Sequence, residues 1–237
     1  MITTGNRVGR TSKTEIIDVL NGKTCSNLGN LADFPLKIDK AVGANLEGTA
    51  VVCGGELEES WNYPSKCYKF TNGRWKTFAS PNNKRVNAAG VIYKNRWHLF
   101  GGYFKGSRLK TSEIVSKDGV VSKGKDIPIE YGVYEHAITT VNSSVSILSG
   151  GNYRKKSFSS KTLYYNHETD VFTNGPALLK GRSNHGSATC VDKVNNKTIP
   201  VVAGGLIGDM YPTKTTELLL NGEWKKGTYL LLFIIQF

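Results

Sequence analysis

The 237-residue sequence has four histidines and four cysteines, the side chains with the widest chemical range it offers. His136 and His185 read as a pair of metal ligands at first sight, but no third ligand or carboxylate falls in register with them. Structural histidines are the favoured reading, and no metal or cofactor is expected. Cys25, Cys53, Cys67 and Cys190 form no C-x-x-C or Cys/His ligand spacing, which argues against structural zinc. No G-x-S-x-G, H-E-x-x-H or P-loop pattern occurs, so no catalytic residue is nominated. Cys53 closes one apolar run and Cys67 opens the next, after the connection 54–66. Antiparallel pairing of the two runs would set these cysteines opposite one another, within reach of a disulfide. The triplets Asn142-Ser143-Ser144 and Asn196-Lys197-Thr198 fall at expected hairpin turns, where glycosylation would be sterically allowed.

The elements that would carry these residues repeat. Glycine pairs fall at Gly54-Gly55, Gly101-Gly102, Gly150-Gly151 and Gly204-Gly205, spaced by 47, 49 and 54 residues, and a single Gly5 lies 49 before the first. Each pair closes a short apolar run such as Trp97-His98-Leu99-Phe100. A second landmark keeps the same register: Asn21-Gly22, Asn72-Gly73, Asp118-Gly119, His167-Glu168-Thr169-Asp170 and Asn221-Gly222. Asn-Gly and Asp-Gly between apolar runs mark hairpins, because both turn residues take positive φ. Each period therefore predicts four short antiparallel strands. In the third period these are 87–93, 96–100, 112–116 and 120–123. The strand preceding each of these apolar runs is built of small residues, as in Ala88-Ala89-Gly90-Val91, which suits a crowded innermost strand. The glycine pairs themselves allow neighbouring units to approach where a β-carbon would clash.

A period near 50 with four strands, glycine pairs, Trp75 and Trp224 after their turns, and Pro35 and Pro128 before inner strands resembles the Kelch repeat. The resemblance implies an all-β, Kelch-type β-propeller with four to five recognisable blades of four antiparallel strands. Gly54, Gly55, Gly101, Gly102, Gly150, Gly151, Gly204, Gly205, Trp75 and Trp224 would be its structural residues. One domain over 1–237 is expected, with repeats near 1–35, 36–80, 81–128, 129–178 and 179–228 and an apolar tail at 229–237. The sequence departs from the family at Gly5, which is single, and at Thr24, Val121 and Phe172, which stand near the expected tryptophan. The chain starts at a second strand, and two readings of its ends stay open. Truncation from a six-bladed propeller is preferred; closure of five blades by the tail as the missing inner strand is the alternative.

Kelch domains similar to this one bind partners on the face made by loops entering the inner strand and loops following the glycine pair. Carried over by register, that face would hold Lys40, Asn87, His136 and His185 at the inner-strand starts. Arg85 and Tyr134 would lie two residues earlier, and Tyr103 and Asn152 just after glycine pairs. Arg and Tyr dominate binding hot spots, so a protein-binding scaffold or adaptor recognising a protein or peptide, acidic or polar, is the expected function. The family's copper-radical sugar oxidases and sialic-acid isomerases keep a carbohydrate-active enzyme as one alternative, and an actin-binding or cytoskeletal module is another.

Bulk properties bound these readings. The formal charge of +12 favours acidic partners, but the cations are scattered, the densest cluster being Arg154-Lys155-Lys156, which argues against a nucleic-acid footprint. The tail 229–237 is under half the length of about 20 residues that spans a bilayer, so no membrane span is expected. No signal peptide is read at the N-terminus, which makes the cytoplasm the simpler expectation and secretion the alternative for a fragment. Partner identity and oligomeric state are not legible.

Overall fold

Glycine pairs and tight turns cut the chain into short antiparallel strands. In the computed structural model, residues 2–3, 12–16, 31–57, 63–154, 157–192, 197–208 and 210–227 are described. Most of the first repeat, with Gly5, the Asn21-Gly22 turn and Cys25, lies outside them, as do Asn196 and the tail 229–237.

Four four-stranded antiparallel sheets follow one another along the chain. Sheet 1 is Val42–Leu46, Thr49–Cys53, Cys67–Thr71 and Arg74–Ala79. Sheet 2 is Ala89–Tyr93, Arg96–Phe100, Ser112–Ser116 and Val121–Lys123. Sheet 3 is Ala137–Thr140, Val145–Ser149, Thr162–Asn166 and Val171–Asn174. Sheet 4 is Gly186–Asp192, Lys197–Ala203, Thr216–Leu220 and Glu223–Lys226. Strand order within each sheet is sequential, and Ile2–Thr3 pairs with Glu15–Ile16 as a further short ladder. The first strands of consecutive sheets lie side by side, so the sheets radiate from a common line. Among the described residues there is no helix, and the arrangement is consistent with a β-propeller-like fold.

The turns behave as their residues require. Asn72 and Gly73 take φ of 52° and 72°, and Asn221 and Gly222 take 51° and 81°. These are the paired positive values that fit the twist of a two-residue hairpin. Asp118-Gly119 departs from this, since only Gly119 is left-handed and its N–H donates to the Ser116 carbonyl.

Packing follows from alternation along the second strands, which are covered on both faces. Leu99 packs with Val42, Leu46 and Val51 of sheet 1, while its neighbour Phe100 packs with Ile138, Leu148 and Tyr165 of sheet 3. Leu148 thus faces sheet 2, and Ile147 faces Val202, Leu219 and Trp224 of sheet 4. Period-two alternation in a strand sandwiched between two neighbours sends consecutive apolar residues into different cores. Each such side chain, fully buried, contributes about 1.5–3 kcal/mol.

Cys53 and Cys67 are opposite residues of adjacent strands, 4.0 Å apart at Cα, and are joined by a disulfide. Both tryptophans of the repeat signature bridge to the preceding unit. Trp75 Nε1 donates to Thr14 Oγ1 at 2.9 Å, and Trp224 Nε1 donates to the Pro176 carbonyl at 3.1 Å.

Candidate functional site

Just before each first strand, one residue adopts the left-handed conformation: Lys40, Asn87, Glu135 and Asn184, with φ of 54°, 50°, 58° and 49°. Their backbones are linked from one unit to the next. Asn87 N–H donates to the Lys40 carbonyl (3.0 Å), Glu135 N–H to the Asn87 carbonyl (2.9 Å) and Asn184 N–H to the Glu135 carbonyl (2.9 Å). A left-handed residue turns its carbonyl and amide sideways, which lets each unit bond both neighbours instead of its own strand. Asparagine is among the non-glycine residues that tolerate this conformation best.

This chain of bonds forms a rim at one end of the sheets. The residue before each rim position pairs with the residue after the glycine pair: Asp39 with Glu56, Val86 with Tyr103, Tyr134 with Asn152 and Ser183 with Leu206. The glycine pairs are where the next unit's chain passes. A β-carbon on Gly54 would lie 2.4 Å from the Arg85 carbonyl oxygen, and one on Gly101 2.5 Å from that of Val133.

Five of the expected partner-face residues come together here. Lys40 is exposed and its Nζ pairs with Glu56 at 2.6 Å. Asn87, Tyr103 and Tyr134 are partly exposed, and the Tyr103 and Tyr134 rings lie 5.2 Å apart. The Arg108 guanidinium stacks over Tyr134 at 5.7 Å. Asn152 is mostly buried beside Tyr134, and its Oδ1 accepts no hydrogen bond from the described residues.

Three expectations need correction. Arg85 is buried, not on an accessible rim, because its guanidinium is neutralised by Glu113 at 2.6 Å and capped by the carbonyls of Gly101 and Thr111. His136 and His185 are also buried, each lying one residue past the rim and turned against the preceding unit's glycine pair. His185 Nε2 bonds Ser149 Oγ at 3.0 Å, and burial pushes both imidazoles down to about 3. The true rim residues at these two places are Glu135 and Asn184, which the sequence reading missed by one position. The available signal was the pair of asparagines at equivalent places, Asn87 and Asn184, and the preference of that residue for left-handed backbone.

Glu135 has a distinctive environment. Burial pushes its carboxyl above the usual carboxylate range, partly offset by a hydrogen bond from Asn184 and the charge of Lys40. Together the rim offers donors at Lys40, Asn87 and Asn184, an acceptor at the half-buried Glu135, and aromatic surface at Tyr103 and Tyr134. Such a set is chemically suited to hydrogen-bonding a ligand and covering its apolar parts. Among the described residues, no group of three or more His, Cys, Asp or Glu could hold a metal ion. Among them, too, no helix is long and apolar enough to cross a membrane.

No family model matches the sequence, and no curated protein matches it. Among solved structures, the fold is similar to that of YjhT, with a TM-score of 0.75 at 14% identity, covering 93% of this chain and 78% of that one. At that identity the likeness concerns the fold alone.

Proposed function

We propose that this chain is a Kelch-type propeller and that its rim end binds a protein or peptide partner. The observation that carries the reading is the cluster of Tyr103, Tyr134 and Arg108 at the rim, with exposed apolar side chains in connections at the same end. Tyr131, Leu179, Met210 and Tyr211 are 57–69% exposed, and all four stand in connections at the rim end of their sheets. Tyr131 shares the connection 124–136 with Tyr134, whose ring, with Tyr103 and the Arg108 guanidinium, supplies the residue types that anchor interfaces. Large apolar residues left in water at the rim end, with two tyrosine rings in contact and a cation, suit a partner's side chains better than a small polar substrate.

Selection of displayed peptides on the purified chain tests this. Peptides recovered should bind Tyr103→Ala/Tyr211→Ser at least tenfold more weakly, about 1.4 kcal/mol. Val120→Ser/Val171→Ser, altered where the chain enters the outer strands of sheets 2 and 3, should bind as the parent does. Loss confined to the second variant, with the first unaffected, would overturn the rim as the binding face.

A further inference from the structure

The triplet Asn142-Ser143-Ser144 sits in the tight turn joining the first two strands of sheet 3, at the end opposite the rim. Asn142 is exposed, and its side chain is held from one side only. Its Oδ1 accepts hydrogen bonds from the Ser144 N–H (3.0 Å) and the Val145 N–H (2.9 Å). With the oxygen fixed by the backbone, the Nδ2 amide is the part of the side chain left facing water. The Ser144 hydroxyl makes no hydrogen bond among the described residues, whereas Thr198 in the neighbouring hairpin donates its own to the Val141 carbonyl at 2.6 Å. Asn142 thus combines the Asn-x-Ser order with an exposed turn and a presented amide nitrogen.

A second feature points to the same compartment by different chemistry. The Cys53–Cys67 disulfide joins two buried cysteines. Disulfides persist where the surroundings are oxidising and are rare in the reducing cytosol. N-glycan transfer and disulfide formation take place along one route, the secretory pathway.

We propose that Asn142 is an N-glycosylation acceptor and that the chain matures in an oxidising secretory compartment. In the transfer, Asn142 Nδ2 bonds to the anomeric carbon of a lipid-linked oligosaccharide pyrophosphate. The bond from that carbon to the pyrophosphate oxygen breaks, the lipid pyrophosphate leaves with the electron pair, and the amide loses one proton. No electrons are gained or lost. The glycan projects from the turn end and leaves the rim end uncovered, so this inference does not depend on the partner reading.

The test is expression of the full chain behind a cleavable export signal in cultured eukaryotic cells. Intact mass is measured before and after peptide-N-glycosidase, on secreted and on membrane-enclosed material. The expected result is a glycan lost on digestion, leaving aspartate at position 142, and absent from Asn142→Gln and Ser144→Ala. Transfer precedes export, so the enclosed pool reports acceptor use even for a variant that is not secreted. Parent chain with an intact Cys53–Cys67 bond and an unmodified Asn142 in both pools would overturn the proposal.

Discussion

Arg85 and Glu113 face each other at 2.6 Å with both side chains almost wholly removed from water, and Arg182 and Glu217 repeat the arrangement two sheets later. In each pair the guanidinium also caps carbonyls at the glycine-pair end, while the carboxylate accepts backbone N–H groups, from Asn82 and Asn83 or from Leu179 and Lys180. At the equivalent places sheet 1 has Ile38 and Tyr68 and sheet 3 has Val133 and Leu163, both apolar. One backbone position therefore accepts two solutions, a fully bonded ion pair or a hydrocarbon contact.

Removing half of such a pair strands the other charge in the interior. Arg182→Ala should destabilise the protein by about 3–5 kcal/mol, measured as the change in urea unfolding free energy. Arg182→Val/Glu217→Leu, copied from sheet 3, should recover most of that loss. Recovery will be incomplete, because the Leu179 and Lys180 N–H groups lose their acceptor. A double variant no better than Arg182→Ala would show that the ion pair cannot be exchanged at this site.

Glycines that share positive φ differ in the space around them. Gly101→Ala would put a β-carbon 2.5 Å from the Val133 carbonyl oxygen, whereas Gly48→Ala, also left-handed, meets nothing within 4 Å. Gly48→Ala should cost about 1 kcal/mol from backbone strain alone. Gly101→Ala should cost at least twice that in thermal or urea unfolding, since the neighbouring unit must also move. Equal costs would mean that close approach of the units does not select the glycine pair.

The disulfide occupies a position where the other sheets use a hydroxyl. Cys67 corresponds to Ser112 and Thr162, whose hydroxyls donate to the carbonyls of Lys125 and Pro176 at 2.7 Å. Opposite those residues stand Gly124 and Gly175, and a β-carbon there would approach the hydroxyl to within 2.3–2.4 Å. Opposite Cys67 stands Ala79. Cys53→Ala/Cys67→Thr should lose about 3 kcal/mol, as expected for a crosslink closing a loop of this size. Adding Ala79→Gly should return part of it by making room for the hydroxyl; no gain in the urea midpoint would refute that role for residue 79.

All four histidines are buried and held neutral. Burial pushes His98, His136 and His185 down to about 3 and His167 to about 4, with neighbouring cations adding to the effect. The unfolded chain binds these protons near pH 6.5 and the folded one does not, so stability is complete above pH 6.5 and falls as pH drops towards 4. Each histidine withdraws about 1.4 kcal/mol per pH unit within that window. Glu135, whose carboxyl is raised, acts in the opposite sense over its own smaller range. His98→Phe, set among the rings of Tyr93, Phe100 and Tyr165, should flatten the pH dependence of the urea midpoint. An unchanged slope would mean that His98 carries its proton in the folded state.

Repetition made most of the sheet layout legible. The strands expected at 96–100 and 112–116 are found with those limits, and the inner strand expected from 87 starts at Ala89, because Asn87 is consumed by the left-handed rim turn. The landmark formed by Gly124, Gly175 and Gly227 went unread, since its cause is a hydroxyl on the adjoining strand.

What the sequence by itself determined is whatever local backbone chemistry dictates. Glycine and asparagine take positive φ at spacings of about 47–54 residues, and apolar alternation between them leaves little choice but short antiparallel strands. The tertiary structure alone decided which polar residues reach solvent. Arg85 and Lys40 are both cations near an inner strand, yet Arg85 is buried because Glu113, 28 residues away, lies opposite it, while Lys40 meets Glu56 at the exposed rim. Burial of a charge depends on a partner delivered by another strand, and no local pattern records that encounter.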